Sequence, residues 1–204
     1  GPALVKGGAS GLPSLKNPIE GVIPGPQAWE ACFTGKYRNV GDWYSGSGAH
    51  AGVDETCDIH CIVHDENAYL QTGPNMKRGI EAHRKMDFVM AKAQFLTTQA
   101  LYSDIVLPVT TQWEVPGGLA ASNREFLYCF SKVTEPLYEA KTDVEINTLI
   151  MEALGLDPSA VYPISETQAF FNQIAGATVI KEDGSGKYEP LVTITEADIK
   201  EWGG

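Results

Sequence analysis

The sequence has no uninterrupted apolar run approaching the roughly 18 to 20 residues that a membrane-spanning helix requires. It also shows no signal-peptide pattern at its start. Basic residues are few: 15 Lys and Arg stand against 26 Asp and Glu, so the formal net charge is −11. Because a protein held on nucleic-acid phosphates needs a basic face, we expect no nucleic-acid partner and no membrane span. An anionic ligand would have to be bound by backbone N–H groups and a few placed side chains.

The common catalytic signatures are missing as well. There is no P-loop, no His-Glu-x-x-His and no Gly-x-Ser-x-Gly. The nearest approach to a dinucleotide fingerprint, at Gly46, Gly48 and Gly52, has the wrong spacing, and no apolar strand precedes it. The histidines and carboxylates show no spacing typical of general acid–base catalysis. The residues alone therefore indicate an acidic α/β domain that binds a ligand at the ends of its strands.

Four cysteines are too few for a disulfide-dense scaffold. Two of them lie with two histidines in a short segment, at Cys57, His60, Cys61 and His64. Such a set could hold zinc, although the Cys-x2-Cys spacing is absent. A strand over 59–63 would send His60 and Cys61 to opposite faces. The alternative interpretation is a buried strand that carries small apolar thiols.

The apolar pattern predicts alternating strands and helices. Prolines and glycines make residues 1–24 an expected irregular segment. The predicted elements after it are a helix at 27–33, a loop at 41–52, a strand at 58–64, a helix at 74–85, a strand at 88–91, a helix at 97–102, strands at 105–107 and 126–133, helices at 143–154 and 165–174, a turn at 183–186 and a helix at 195–202. This order favours an α/β fold in three layers, with a mostly parallel sheet and helices on both faces. We expect one domain over residues 1–204.

Several ordered motifs carry a family resemblance. Residues 97–108 (TTQALYSDIVLP) resemble the T-x-T-A-x-x-A-D-I-V-L-P signature of the molybdopterin oxidoreductases, the dimethyl sulfoxide reductase family. Glu114 stands where the family has a Glu after this signature, and 123–125 (NRE) matches the next segment. Residues 136–146 (PLYEAKTDVEI) resemble the family run P-x-x-E-A-K-x-D-x-x-I. The resemblance covers about residues 20–160, which leaves 161–204 as a carboxyl-terminal extension.

The resemblance implies a role within a larger enzyme. Catalytic subunits of this family hold a molybdenum or tungsten ion between two molybdopterin guanine dinucleotides. The chain looks like their third domain, a dinucleotide-fold variant that binds one of these cofactors. The metal ligand, and the iron–sulfur cluster where one exists, belong to earlier domains, so we expect no catalytic residue and no metal ligand here. The sequence starts without methionine, which agrees with a piece of a longer protein.

The partners that the resemblance implies are the remaining domains of the parent chain and an iron–sulfur electron-transfer subunit. It leaves the compartment open, since many members are exported to the periplasm or cell envelope. The substrate is open too: a sulfoxide, an N-oxide, an oxyanion or an aromatic hydroxyl compound fits the family.

The resemblance also points to candidate cofactor-binding residues, which are Asn67, Lys92, Gln94, Thr97, Asp104 and Asp143. The amide of Asn67 suits a guanine or ribose edge, and it follows the strand predicted at 58–64. The carboxylate of Asp143 can accept two guanine N–H donors. The alternative role for Asp143, or for Thr142, is that of a helix N-cap.

The sequence departs from the family at the second predicted strand. Lys92 and Ala93 stand where the family has an Asp that reaches the guanosine, so Lys92 or Gln94 would have to replace that carboxylate. Thr97 could contact phosphate or ribose, but helix capping explains it equally well. Asp104 could instead accept backbone N–H bonds at the start of a strand.

The sequence leaves two other functions open. Ala93, and Val115 where some members have a Lys, favour a non-catalytic binding module that has lost the cofactor. The Cys and His residues at 57–64 leave open a small metal-binding domain.

Overall fold

We describe the protein from a computed structural model, which defines residues 3–15, 21–40, 51–65, 68–120 and 125–193. Asn67, the helix expected at 195–202 and most of the loop expected at 41–52 lie outside the described residues. The chain divides into two compact units. We call Lys16–Val109 the parallel-sheet unit, and Gly1–Leu15 together with Thr110–Gly204 the capped-helix unit.

The described helices are α1 (Ala28–Thr34), α2 (Tyr69–Thr72), α3 (Met76–Lys85), α4 (Thr98–Leu101), α5 (Asp143–Ala153) and α6 (Glu166–Ala175). The described strands are β1 (Val5–Lys6), β2 (Lys36–Arg38), β3 (Asp54–Thr56), β4 (Cys61–His64), β5 (Phe88–Ala93), β6 (Ile105–Pro108), β7 (Gly117–Ala120), β8 (Leu127–Phe130), β9 (Thr178–Ile180) and β10 (Tyr188–Pro190).

The parallel-sheet unit is built on the sheet β4–β5–β6. Both of its pairings are parallel, with Cys61 opposite Phe88 and Met90 opposite Ile105 at their starts. Helices lie in both connections, as parallel strands require. The α/β class expected from the sequence is therefore confirmed. The strands lie in sequential order, so this described sheet contains no reversal of strand order, the usual ligand position in open sheets. The short hairpin β2–β3 in the same unit is antiparallel.

The core of the parallel-sheet unit lies between α1, α2 and α3. Trp29, Cys32, Leu70 and Ala82 are buried together. Gly79 allows this close packing, because a Cβ at that position would lie 2.6 Å from Leu70 Cδ1 and 2.9 Å from Trp29 Cε2. Such distances are too short for real carbon contacts. The indole Nε1 of Trp29 donates to the carbonyl oxygen of Pro74 at 3.1 Å.

In the capped-helix unit, β1, β9 and β10 form an antiparallel sheet, and β7 pairs with β8. The pairing of Val5 with Val179 corrects the expectation that residues 1–24 are irregular throughout. Ala3 and Val5 are buried there. A two-residue strand whose partner lies more than 170 residues away has no local apolar pattern by which it could be predicted.

The helix ends follow capping rules that the sequence does show. Thr97 and Ser165, expected as N-caps, accept hydrogen bonds from the backbone N–H groups of Ala100 and Gln168. Gly155, expected to end α5, has a φ of 73°, which favours glycine. Among the residues that the structure describes, no helix combines the length and apolar character needed to cross a membrane.

Candidate functional site

The two ends of the parallel sheet carry different polar groups. We call His64, Asp65, Lys92 and Gln94 the carboxyl edge, since they occupy the last two positions of β4 and β5 or directly follow these strands. We call His60, Asp87 and Asp104 the amino edge, because each directly precedes a strand. Ligands of open α/β sheets bind beyond the carboxyl ends of strands, which makes the carboxyl edge the candidate site.

A buried ion pair occupies the carboxyl edge. The side chain of Lys92 is 2% exposed, and its ammonium contacts a carboxylate oxygen of Asp65. Asp65 directly follows β4, and its side chain is 54% exposed. Burying an ammonium requires an anion beside it, because the loss of hydration is otherwise too unfavourable. Lys92 thus places a positive charge just inside the edge where a ligand would bind, and Asp65 stands between that charge and water.

Two amide side chains of the parallel-sheet unit come after these strands in the chain. Gln94 follows β5 directly and is exposed. In α2, which begins five residues after β4 ends, the Oε1 atom of Gln71 is buried and has no hydrogen-bond partner among the described residues. A buried carbonyl oxygen without a donor is uncommon in folded proteins. It can accept an N–H group from a bound molecule.

A buried histidine pair connects the carboxyl edge to α3: His64 ends β4, and His83 belongs to α3. The Nε2 atoms of His64 and His83 are 2.7 Å apart, and both side chains are buried. His83 Nδ1 lies 2.6 Å from the carbonyl oxygen of Gly79, so this nitrogen carries the proton and donates. The neutral His83 ring then accepts at Nε2, and His64 donates there.

Burial shifts the titration of this pair. Desolvation, with a smaller contribution from the neighbouring His83, lowers the pKa of His64 to about 4. Desolvation also lowers the pKa of His83, against a smaller opposite effect of its hydrogen bond to Gly79. Both rings are therefore neutral at pH 7 and fix the end of β4 onto α3.

At the amino edge, Asp104 connects β5 with the start of β6 through main-chain hydrogen bonds. Asp104 accepts a hydrogen bond from the N–H of Val89 at 2.7 Å, while its own N–H donates to the carbonyl oxygen of Val89 at 2.8 Å. Of the two roles considered for Asp104, the structure shows the backbone one. A cofactor contact by Asp104 or Thr97 stays a prediction, and Asp104 stands at the end of the sheet opposite the carboxyl edge.

The residues proposed for zinc do not converge. His60 Nδ1 lies 2.6 Å from Asp87, and its Nε2 lies 3.1 Å from Asp58. The Nε2 atom of His64 is hydrogen-bonded to His83, and Cys61 is exposed. Within the described ranges, which include residues 57–64, no group of three or more potential ligands could hold a metal ion. The alternative of a buried thiol strand is also wrong for Cys61, since its side of β4 faces water.

In the capped-helix unit, Thr142 is the N-cap of α5. It forms a capping box with Glu145, whose carboxylate accepts from the Thr142 N–H at 2.8 Å. Asp143 is the first residue of α5 and is half-buried. The hydroxyl of Thr142 also donates to Glu166. Burial raises the pKa of Glu166, this hydrogen bond partly opposes the shift, and the nearby carboxylates of Glu145 and Asp143 add to it. Capping is therefore performed by Thr142, and Asp143 is not needed for it.

Glu114, the acidic residue after the signature, has a structural role. Its buried carboxylate accepts from the backbone N–H of Thr111 and of Leu137, each at 2.7 Å, and from the Thr111 hydroxyl at 3.0 Å. These hydrogen bonds lower the pKa of Glu114. The carboxylate joins two loops of the capped-helix unit.

Sequence reasoning missed both buried pairs of the carboxyl edge. The sequence indicates Lys92 as a substitute for a missing carboxylate, whereas the structure shows a buried cation paired with Asp65. One signal could have revealed it: a lysine stands inside the otherwise apolar strand FVMAKA. The histidine pair had no such signal, because His64 and His83 come from a strand and a helix.

An α/β unit with polar groups gathered at the carboxyl ends of its strands is typical of nucleotide-binding domains. The comparisons with known proteins give the family. The family described as molybdopterin oxidoreductase matches residues 52–153, half of the chain. The chain therefore belongs to the molybdopterin oxidoreductase family.

Among curated relatives, a protein of Staphylococcus haemolyticus named "Putative formate dehydrogenase" is 33% identical over 97 residues, which are 48% of this chain and 9% of that protein. Proteins of the same name from Staphylococcus aureus strains USA300 and NCTC 8325 are 33% identical over 82 residues, which are 40% of this chain and 8% of theirs. The chain thus corresponds to less than a tenth of the length of these relatives.

Proposed function

We propose that the chain is a domain that binds molybdopterin guanine dinucleotide in a molybdenum- or tungsten-dependent oxidoreductase of the dimethyl sulfoxide reductase type. The observation that carries the proposal is the carboxyl edge of β4–β5–β6, where the buried ammonium of Lys92 contacts Asp65 at the ends of two paired parallel strands inside the family match. In this proposal the chain binds and orients the cofactor, and other parts of a longer protein supply the metal ligand and contact the substrate.

The residues present fit the chemistry of this cofactor. The ammonium of Lys92 suits its phosphate groups. The buried Oε1 of Gln71, which has no donor among the described residues, suits an N–H of a guanine or pterin ring. In the capped-helix unit, the Asp143 carboxylate suits paired N–H donors, since Thr142 already caps the helix. When bound, the cofactor supplies the metal at which two electrons are transferred.

The test is the cofactor content of the natural full-length protein, purified without oxygen. Molybdenum and tungsten are measured by mass spectrometry, and guanine nucleotide is measured after acid release. We expect about two guanine nucleotides per metal ion, as in the enzymes that the chain resembles. Formate is the first substrate to assay, because the curated relatives are named for it.

Variants locate the binding residues. Asn67→Ala and Asp143→Ala should each lower the guanine content of the purified protein. Asp183→Ala is the matched control, since Asp183 is an exposed turn residue of the capped-helix unit. Unchanged guanine content in both test variants would contradict the assignment of these two residues.

A second candidate is a binding module of the same fold that has lost the cofactor. Ala93, where the resemblance implies an aspartate, is the observation that favours it. A correctly folded full-length protein with neither metal nor guanine would support this second candidate over the first.

A further inference from the structure

The ion pair at the carboxyl edge is unequal in its exposure. Lys92 is enclosed in the strand layer, whereas half of the Asp65 side chain is open to water. Asp65 lies directly after the last residue of β4, outside the strand itself. The cation is therefore fixed by its strand, and the anion is the partner that can move away.

The energetics of the pair favour exchange with a stronger anion. A buried ammonium needs a negative partner at all times, but that partner need not be Asp65. A half-exposed carboxylate regains water with little loss when it leaves. A phosphate group carries up to two negative charges and three acceptor oxygens, so it can satisfy the ammonium better than one carboxylate.

We propose that Lys92 binds the phosphate groups of the nucleotide part of the ligand, and that Asp65 holds the ammonium of Lys92 until the phosphate displaces it. The inference rests on the proposed function, since it specifies the contact within that same site. It assigns opposite effects to the two members of one ion pair. Lys92 strengthens the binding of phosphate, and Asp65 competes with the phosphate.

The experiment compares GDP with guanosine, which share the base and ribose but differ in the phosphates. Binding to the 204-residue chain is measured by calorimetry and by ligand-observed NMR at low salt. We expect the wild-type chain to bind GDP about tenfold more tightly than guanosine, as one charge-assisted contact provides. This preference should shrink as sodium chloride is added.

Two variants separate the members of the pair. Lys92→Met keeps the length of the side chain without the charge, and it should bind GDP and guanosine equally. Asp65→Asn removes the competing carboxylate, so it should bind GDP more tightly than wild type by several-fold, with guanosine unchanged. The exposed pair of Lys132 and Glu135 provides the controls Lys132→Met and Glu135→Gln, which should alter neither ligand.

Near-ultraviolet circular dichroism checks that each variant is folded. If Lys92→Met does not fold, Lys92→Arg takes its place, and it should keep the preference for GDP because it keeps a cation. The wild-type preference and its salt dependence also test the proposal without any substitution.

The outcomes distinguish this inference from the proposed function. Equal binding of GDP and guanosine by the wild-type chain would overturn the inference and leave guanine binding intact. Weaker GDP binding by Asp65→Asn would overturn the displacement by showing that Asp65 supports the ligand. No binding of either compound up to millimolar concentration would count against the proposed function itself.

Discussion

The amino and carboxyl edges of the parallel sheet use the same kinds of side chain in opposite ways. At the amino edge, Asp104 bonds to the main chain of β5, and His60 forms exposed pairs with two carboxylates. At the carboxyl edge, Lys92 and His64 are buried, and each contacts another ionisable side chain. The hydrogen bonds of Asp104 hold β5 and β6 together, whereas the ion pair of Lys92 has one half-exposed member, Asp65, which a phosphate would replace in the proposed displacement. The amino edge thus holds the fold, and the carboxyl edge in addition carries the ion pair that is proposed to meet a ligand.

The largest expected effect is a pH dependence from the histidine pair. The pKa of His64 falls from 6.5 to about 4 on folding, so its contribution to stability is present above pH 6.5 and is lost as the pH falls through 4. We expect the free energy of unfolding to decrease by up to about 3 kcal/mol over this range. Urea unfolding at several pH values measures it.

A matched variant at the other edge sharpens this test. Side-chain hydrogen bonds to Asp87 and Asp58 raise the pKa of His60, so its contribution has the opposite sign. His60→Gln should keep the loss of stability at low pH, and His64→Gln should reduce it. A stability that stays constant between pH 6.5 and 4 would contradict the neutral buried pair.

The next effect concerns the ion pair. Asp65→Asn removes a carboxylate that contacts the buried ammonium of Lys92, which should destabilise the fold by about 2 kcal/mol. This is less than for a fully buried pair, because Asp65 is half-exposed. The double variant with Lys92→Met should recover most of the loss. Denaturant unfolding of both single variants and the double variant gives the coupling energy, and additive losses would show that the two residues do not interact.

A smaller effect is expected at Asp104. Asp104→Ala leaves the N–H of Val89 without its acceptor and should cost about 1 kcal/mol. Asp104→Asn keeps an acceptor oxygen and should cost less. Neither variant should change the binding of GDP. Altered GDP binding in a folded Asp104 variant would break the distinction between the two edges.

The smallest expected effect is a change in the pKa of the exposed His60. Asp87→Asn removes the largest cause of the raised pKa of His60, so that pKa should fall towards 6.5. The His64 titration should not change. Proton NMR of the ring hydrogens follows both histidines in one sample, and an unchanged pKa for His60 would show that Asp87 does not hold its charged form.

The sequence predicted the features that depend on neighbouring residues in the chain. The order of β4, α3, β5, α4 and β6, and the cap at Thr97, follow from apolar spacing and capping chemistry. The family resemblance rested on consecutive motifs, and it is confirmed. What the sequence did not predict depends on pairs that meet only after folding. These are the ion pair of Lys92 with Asp65, the histidine pair, and the strand at Val5 that bonds to Val179.

Gly79 contributes both to the helical core and to the histidine pair. Its missing side chain admits Trp29 and Leu70, and its carbonyl oxygen holds the proton of His83 in place. An alanine, normally better than glycine inside a helix, would here push α3 away and disturb the histidine pair together with the core. Among homologous chains, we expect glycine at this position to persist through evolution unless the tryptophan or the leucine is exchanged for a smaller residue.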